Sequence, residues 1–292
     1  MEEKNEWKEK HLPYMQVFNY GSHDLHRLSL YQPPPKRNEP QHKDAVWLIF
    51  IHGGAWRDST ITDRSFDHSV EIMLSSRWIH KIKGFASISY RLSPHPDHEQ
   101  SPQTPKSFLH EARHPDHIND VIMGLIYLQQ NFAVGNQYVL VGHSCGATIA
   151  FQSLMSQFNR KEFMKPKIIV GLAGIYNLRG LRDRNPNAGY EGFISAAFGK
   201  DEAVWDLVSP VNIKIAENQW PEGKLAVLVS STLDEVIEPQ QIDEFEKTMK
   251  GYSNVRVQAW RRILHCAHDD IWKLTGLVEV LEKVLDNYYL RY

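Results

Sequence analysis

The residues with the clearest chemical promise are Gly142-His143-Ser144-Cys145-Gly146. They directly follow the apolar run Tyr138 to Val141 and directly precede a helix-like stretch from Ala147, which is the setting a nucleophile elbow requires. Glycines two before and two after the serine let the chain turn sharply and hold its hydroxyl clear. The start of the helix adds partial positive charge where an anion would develop. A second segment, His52-Gly53-Gly54-Ala55-Trp56, ends another apolar run, Ala45 to Ile51. A His-Gly-Gly loop in that position offers backbone N–H groups to an oxyanion. The expected donors are the amides of Gly54, Ala55 and Cys145, with Gly53 a near alternative. The two segments together predict acyl transfer through a serine.

A serine nucleophile needs a base, and the base needs an acid to orient it. In an α/β-hydrolase the chain order is serine, acid, histidine, so both partners lie beyond Ser144. Asp234 follows the apolar run Leu225 to Val229 by a short loop, with Glu235 beside it. His265 and His268 follow a short strand-like run, Val255 to Trp260. The residues alone leave Asp234 against Glu235, and His268 against His265, open.

The elements that must position these groups show in the periodicity. Ala45–Ile51, Gly84–Tyr90, Tyr138–Val141, Lys167–Leu172 and Leu225–Val229 read as strands, the first apolar on both alternating faces as in a buried parallel sheet. Ile118–Gln130, Ala147–Phe158, Gln240–Lys250 and Ile271–Leu290 read as helices. Strands alternating with helices predict an α/β-hydrolase fold: a mostly parallel central sheet flanked by helices, with sites at the carboxyl ends of the strands. Residues 1–40, which include Pro33-Pro34-Pro35, are expected to be a partly mobile N-terminal extension. Residues 41–292 are expected to be one domain carrying a cap segment over about 177–223.

Composition narrows the partners. Over 292 residues, 33 basic against 35 acidic side chains leave no basic surplus for nucleic acid or anionic lipid, so neither is an expected partner. Two cysteines make no disulfide framework, and Met1 to Lys10 is charged without an apolar run, so a cytoplasmic protein is expected. Cys145 and Cys266 fall near the candidate serine and histidine, so thiol reagents are expected to inhibit. Histidines crowd Ser93 to Pro115 and its edge, at His95, His98, His110, His114 and His117, but without a metal-ligand spacing such as H-E-x-x-H. No metal and no cofactor are expected. The expected partner is a small-molecule substrate, with a homodimer left open.

The two motifs, with Tyr90-Arg91-Leu92-Ser93-Pro94, Gly174-Ile175-Tyr176-Asn177-Leu178 and His268-Asp269-Asp270-Ile271-Trp272, resemble kynurenine formamidase of the fungal type from about residue 45 onward. The resemblance places Ser144, Asp234 and His268 at the triad positions and raises Asp234 and His268 above their neighbours. It implies hydrolysis of N-formyl-L-kynurenine to L-kynurenine and formate, in tryptophan breakdown towards NAD, with a broad-range carboxylesterase as the alternative. The formyl group needs almost no acyl pocket, whereas its aromatic leaving group needs a flat apolar one. Trp56, Tyr90 and Tyr176 follow strand ends and are the expected lining. Arg91, Arg179, Arg182 and Arg184 are left out of the site as solvated side chains.

Overall fold

The computed structural model describes residues 15–33, 42–214, 220–251 and 255–290. An eight-stranded sheet runs in the order β1-β2-β4-β3-β5-β6-β7-β8. β1 (Met15–Asn19) and β2 (Arg27–Tyr31) form an antiparallel edge, and β2 pairs antiparallel with β4 (Ile82–Ile88). The remaining strands are parallel: β3 (Val46–Ile51), β5 (Tyr138–His143), β6 (Ile168–Leu172), β7 (Leu225–Ser231) and β8 (Arg256–Leu264). Residues 15–31, read from sequence as part of an extension outside the domain, are thus built into its sheet. Their alternation is short and is followed at once by a proline run, which hid the strands.

Both faces are covered. Trp47, Ile49 and Ile51 of β3 point to one side, where α2 (Asp116–Phe132), α3 (Cys145–Gln152) and α7 (Gln240–Lys250) pack. Val46, Leu48 and Phe50 point to the other, under α1 (Asp67–Met73), α8 (Asp270–Lys273) and α9 (Gly276–Tyr289). Alternate residues of one strand enter two cores, so the strand reads as continuously apolar. The single helix expected over Ile271–Leu290 is two, broken between Lys273 and Gly276. The one expected over Ala147–Phe158 ends its α-helical part at Gln152.

Between β6 and β7 lie three short helices, α4 (Leu178–Arg184), α5 (Tyr190–Phe198) and α6 (Glu202–Val208). They occupy the segment expected as a cap, of which residues 215–219 lie outside the described residues. Phe193 and Phe198 of α5 pack on Trp56, and the Tyr190 hydroxyl donates to the Val236 carbonyl. Among the described residues no helix is long and apolar enough to cross a membrane.

Chain order makes a crevice at one place. From β3 the chain goes to β4 on one side and then crosses to β5 on the other, so the loops leaving β3 and β5 diverge at their carboxyl ends. Ile51 is in register with Gly142, so the loops that begin at His52 and Ser144 leave adjacent strands at nearly the same height.

Candidate active site

Ser144 sits at φ 55°, ψ −124°, a region that L side chains avoid, between the end of β5 and the first turn of α3. The turn closes because two glycines permit backbone contact. A Cβ on Gly142 would lie 2.3 Å from the Gly146 carbonyl oxygen, and one on Gly146 would lie 2.3 Å from that of Ile51. The Ser144 amide donates to the Leu172 carbonyl at 2.9 Å, which fixes the strained residue to β6. Such a conformation costs on the order of 1–3 kcal/mol and persists only where its surroundings enforce it.

The loop after β3 is strained in the same way at Ala55 and Trp56, with φ 49° and 59°, whereas Gly54 takes φ 96° without strain. Gly53 is pressed against the elbow: a Cβ there would meet His143 Nδ1 at 2.9 Å and Ser144 Cβ at 3.1 Å. Of the expected oxyanion donors, the Gly54 amide has no acceptor among the described residues. The Cys145 amide is the first of α3, where no intrahelical acceptor exists. The Ala55 amide, like that of Cys145 itself, lies beside the Cys145 sulfur, to which the Trp56 amide donates at 3.3 Å. Burial pushes the Cys145 thiol up to about 11, so this sulfur is a neutral prop under the loop.

His268 and Asp234 meet. Nδ1 of His268 donates to the Asp234 carboxylate, 3.0 Å from Oδ1 and 3.1 Å from Oδ2. The Asp234 side chain is buried, and its Oδ1 also accepts the amides of Val236 and Ile237 at 2.9 and 2.8 Å. The carboxylate is held from two directions and leaves Nε2 of His268 as the imidazole's free nitrogen. Glu235, the neighbouring acid, is exposed and accepts the His268 backbone amide at 3.0 Å. His265 is exposed, with its ring on the Thr232 hydroxyl. No hydrogen bond joins Ser144 Oγ to His268; without substrate such contacts are often long.

The three aromatic residues expected along the pocket have no accessible surface. Tyr90 stacks on His52, and its hydroxyl donates to the His52 and Gly53 carbonyls at 3.0 and 3.2 Å, so it shapes the loop from beneath. Trp56 turns into α5. Tyr176 stacks on Phe245 at 4.5 Å and meets Phe151 edge-on. Each follows a strand end, but the tight turn there directs its ring back into the core. The arginines left out of the site are committed to acids: Arg91 to Asp120 and Asp116, Arg179 to Asp206, Arg182 to Glu202 and Arg184 to Glu238 and Glu244.

Among the described residues one trio of metal-type donors has its atoms within 4.8 Å of one another: His143, His268 and Asp269, away from the histidine-rich loop. One nitrogen of each imidazole is already in use. Nδ1 of His268 holds Asp234, and Nε2 of His143 donates to the His268 carbonyl at 3.1 Å. Sequence reasoning passed over His143. The one available signal was a histidine between Gly142 and Ser144, where the turn itself needs no polar side chain.

A mostly parallel eight-stranded sheet covered by helices on both faces, with a strained serine in the turn after β5, makes the chain an α/β-hydrolase in fold. Solved structures agree on the fold. Esterase 2 of Thermogutta terrifontis phosphonylated by sarin gives a TM-score of 0.67 over 96% of this chain and 95% of its own, at 16% identity. No protein-family model matches the chain. Curated relatives are more specific: a kynurenine formamidase-like hydrolase of Fusarium equiseti is 40% identical, over 84% of this chain and 86% of its own. Kynurenine formamidases of Aspergillus versicolor and Meyerozyma guilliermondii are each 32% identical, over 79% and 78% of this chain and 86% and 77% of their own. The chain belongs to the kynurenine formamidase family.

Proposed function

We propose that this protein hydrolyses the formamide of N-formyl-L-kynurenine to L-kynurenine and formate, with Ser144 as nucleophile, His268 as base and Asp234 as its orienting acid. The observation that carries the reading is the buried Asp234–His268 pair in a chain with this family's sequence. His268 Nε2 takes the Ser144 proton as Oγ attacks the formyl carbon, and the Asp234 carboxylate supports the resulting imidazolium. The oxyanion is met by the amides of Gly54 and Cys145, with Ala55 completing the hole once its amide turns from the sulfur. An arylamine leaves poorly as an anion, so the imidazolium returns the proton to that nitrogen. Water then clears the formyl-enzyme by the same relay.

The test compares turnover of N-formylkynurenine with that of simple aryl esters on the purified protein. A clear preference for the formamide is expected. A strong preference for esters would make the protein a broad-range carboxylesterase with the same triad.

A further inference from the structure

His143 is a buried histidine whose presence the elbow turn does not explain. Its ring lies between Gly53 of the loop after β3 and His268, with the two imidazole centroids 4.6 Å apart. Burial, with His268 nearby, pushes its pKa well below the ordinary histidine range, so it is neutral and carries one ring proton. The group facing Nε2 is the His268 carbonyl, which can only accept, so the proton is on Nε2. Nδ1 is left buried without a hydrogen-bond partner, a state that folded proteins seldom tolerate without return.

We propose that His143 is a positioning residue that ties the base to the nucleophile through the backbone of His268. Its Nε2–H holds the His268 carbonyl, while the Glu235 carboxylate holds the His268 amide on the other side. The main chain of the base is gripped at both of its polar atoms, and Asp234 sets the ring. Because His143 precedes Ser144 directly, any displacement of the elbow carries the base with it. His143 itself takes no proton from substrate: one nitrogen is spent on a carbonyl and the other faces Gly53. The inference rests on the serine mechanism proposed above.

The experiment uses the full chain with His143→Leu and His143→Gln, since a Gln amide can place an N–H close to where Nε2 stands. Turnover, the rate of Ser144 phosphonylation by a fluorophosphonate probe, and the thermal midpoint are measured. A displacement of about 1 Å costs on the order of 10²-fold in rate. His143→Leu is therefore expected to lower kcat and the probe rate together by that order, with KM and the thermal midpoint little changed, and His143→Gln to restore most of both. Parental kcat and probe rate in His143→Leu would overturn the proposal, as would a His143→Gln enzyme that is folded yet as slow as His143→Leu. Should His143→Leu fail to fold, the exposed anchor decides. Glu235→Ala is expected to show the same joint loss and Glu235→Gln to recover it; a fully active Glu235→Ala overturns the two-sided grip. Ser144→Ala separates the two readings. If it retains turnover, the serine mechanism itself falls; if it is inactive while His143→Leu is normal, only the positioning role falls.

Discussion

The ring of Tyr90 stacks on that of His52, 4.5 Å apart and within 11° of parallel, while its hydroxyl donates to the His52 carbonyl at 3.0 Å. One side chain thus fixes both the ring and the backbone at the root of the loop that presses on the elbow at Gly53. Tyr90→Phe keeps the stack and removes the hydroxyl. It is expected to lower kcat about 10- to 100-fold through misaligned amides, with KM nearly unchanged. A raised KM at constant kcat would mean that Tyr90 contacts substrate instead.

The same logic separates the two histidines behind β8. His268 is buried against Asp234, whereas His265 is exposed on Thr232. Ser144→Ala and His268→Ala are each expected to cut turnover by roughly 10⁴-fold or more with the fold intact, as in other serine triads. His265→Ala should be mild. Steady-state kinetics with circular dichroism on each variant check this, and a mild His268→Ala beside a lethal His265→Ala would reassign the base.

How much of this was legible follows from the range over which each signal acts. Strands β3 to β7, and helices such as α7, carry long apolar periods, and the elbow at Ser144 is a local pattern between two of them. The hairpin of β1 and β2 mixes polar with apolar residues where β6, of the same length, is apolar throughout, and the seven- to nine-residue helices α4 to α6 are too short to show a clear period. Their stability comes from tertiary contacts such as the Tyr190 hydroxyl on Val236. Asp234 and His268 were ranked by resemblance and not by spacing, since only folding brings them together. For His143 the sequence shows only its place between Gly142 and Ser144; its partner, a carbonyl 125 residues away, leaves no mark there.

The two cysteines were expected to expose the enzyme to thiol reagents, and the structure divides them. Cys145 is fully buried with its thiol pushed up to about 11, so almost none is thiolate at neutral pH. Cys266 is half-buried, and burial raises its thiol as well. At pH 7.5 the folded protein is expected to take up iodoacetamide slowly and at Cys266 alone, and the unfolded protein at both. Intact-mass spectrometry with peptide mapping reads this directly; rapid labelling of Cys145 in the folded state would contradict the burial argument.

Tyr176 offers a test of whether a motif residue serves packing or substrate. A Cβ on Gly171 would fall 2.0 Å from its hydroxyl oxygen, which itself has no partner among the described residues. Gly171→Ala is expected to destabilise by about 1–3 kcal/mol through overpacking. Tyr176→Phe, which deletes an unpaired buried hydroxyl, should be neutral or slightly stabilising. Urea unfolding measures both, and an unchanged KM in Tyr176→Phe agrees with a packing role.

Stability should fall in mild acid because several histidines are buried without charge. Burial pushes His52 down to about 4 and His117 down to about 3, below the ordinary 6.5. His52 donates Nδ1–H to the Gly53 carbonyl. His117 donates Nε2–H to Ser93, whose own proton goes to the Ala112 carbonyl, and its Nδ1 has no partner among the described residues. Below pH 6.5 the unfolded chain therefore binds protons that the folded chain does not, so the unfolding free energy drops as pH falls and keeps dropping until about pH 4 to 3. At pH 5 each of these two histidines removes about 2 kcal/mol relative to pH 7.5. Urea midpoints at the two pH values, compared with those of His117→Gln, test the assignment. The variant should lose about 2 kcal/mol less on acidification than the parent, and equal losses would remove His117 from the account.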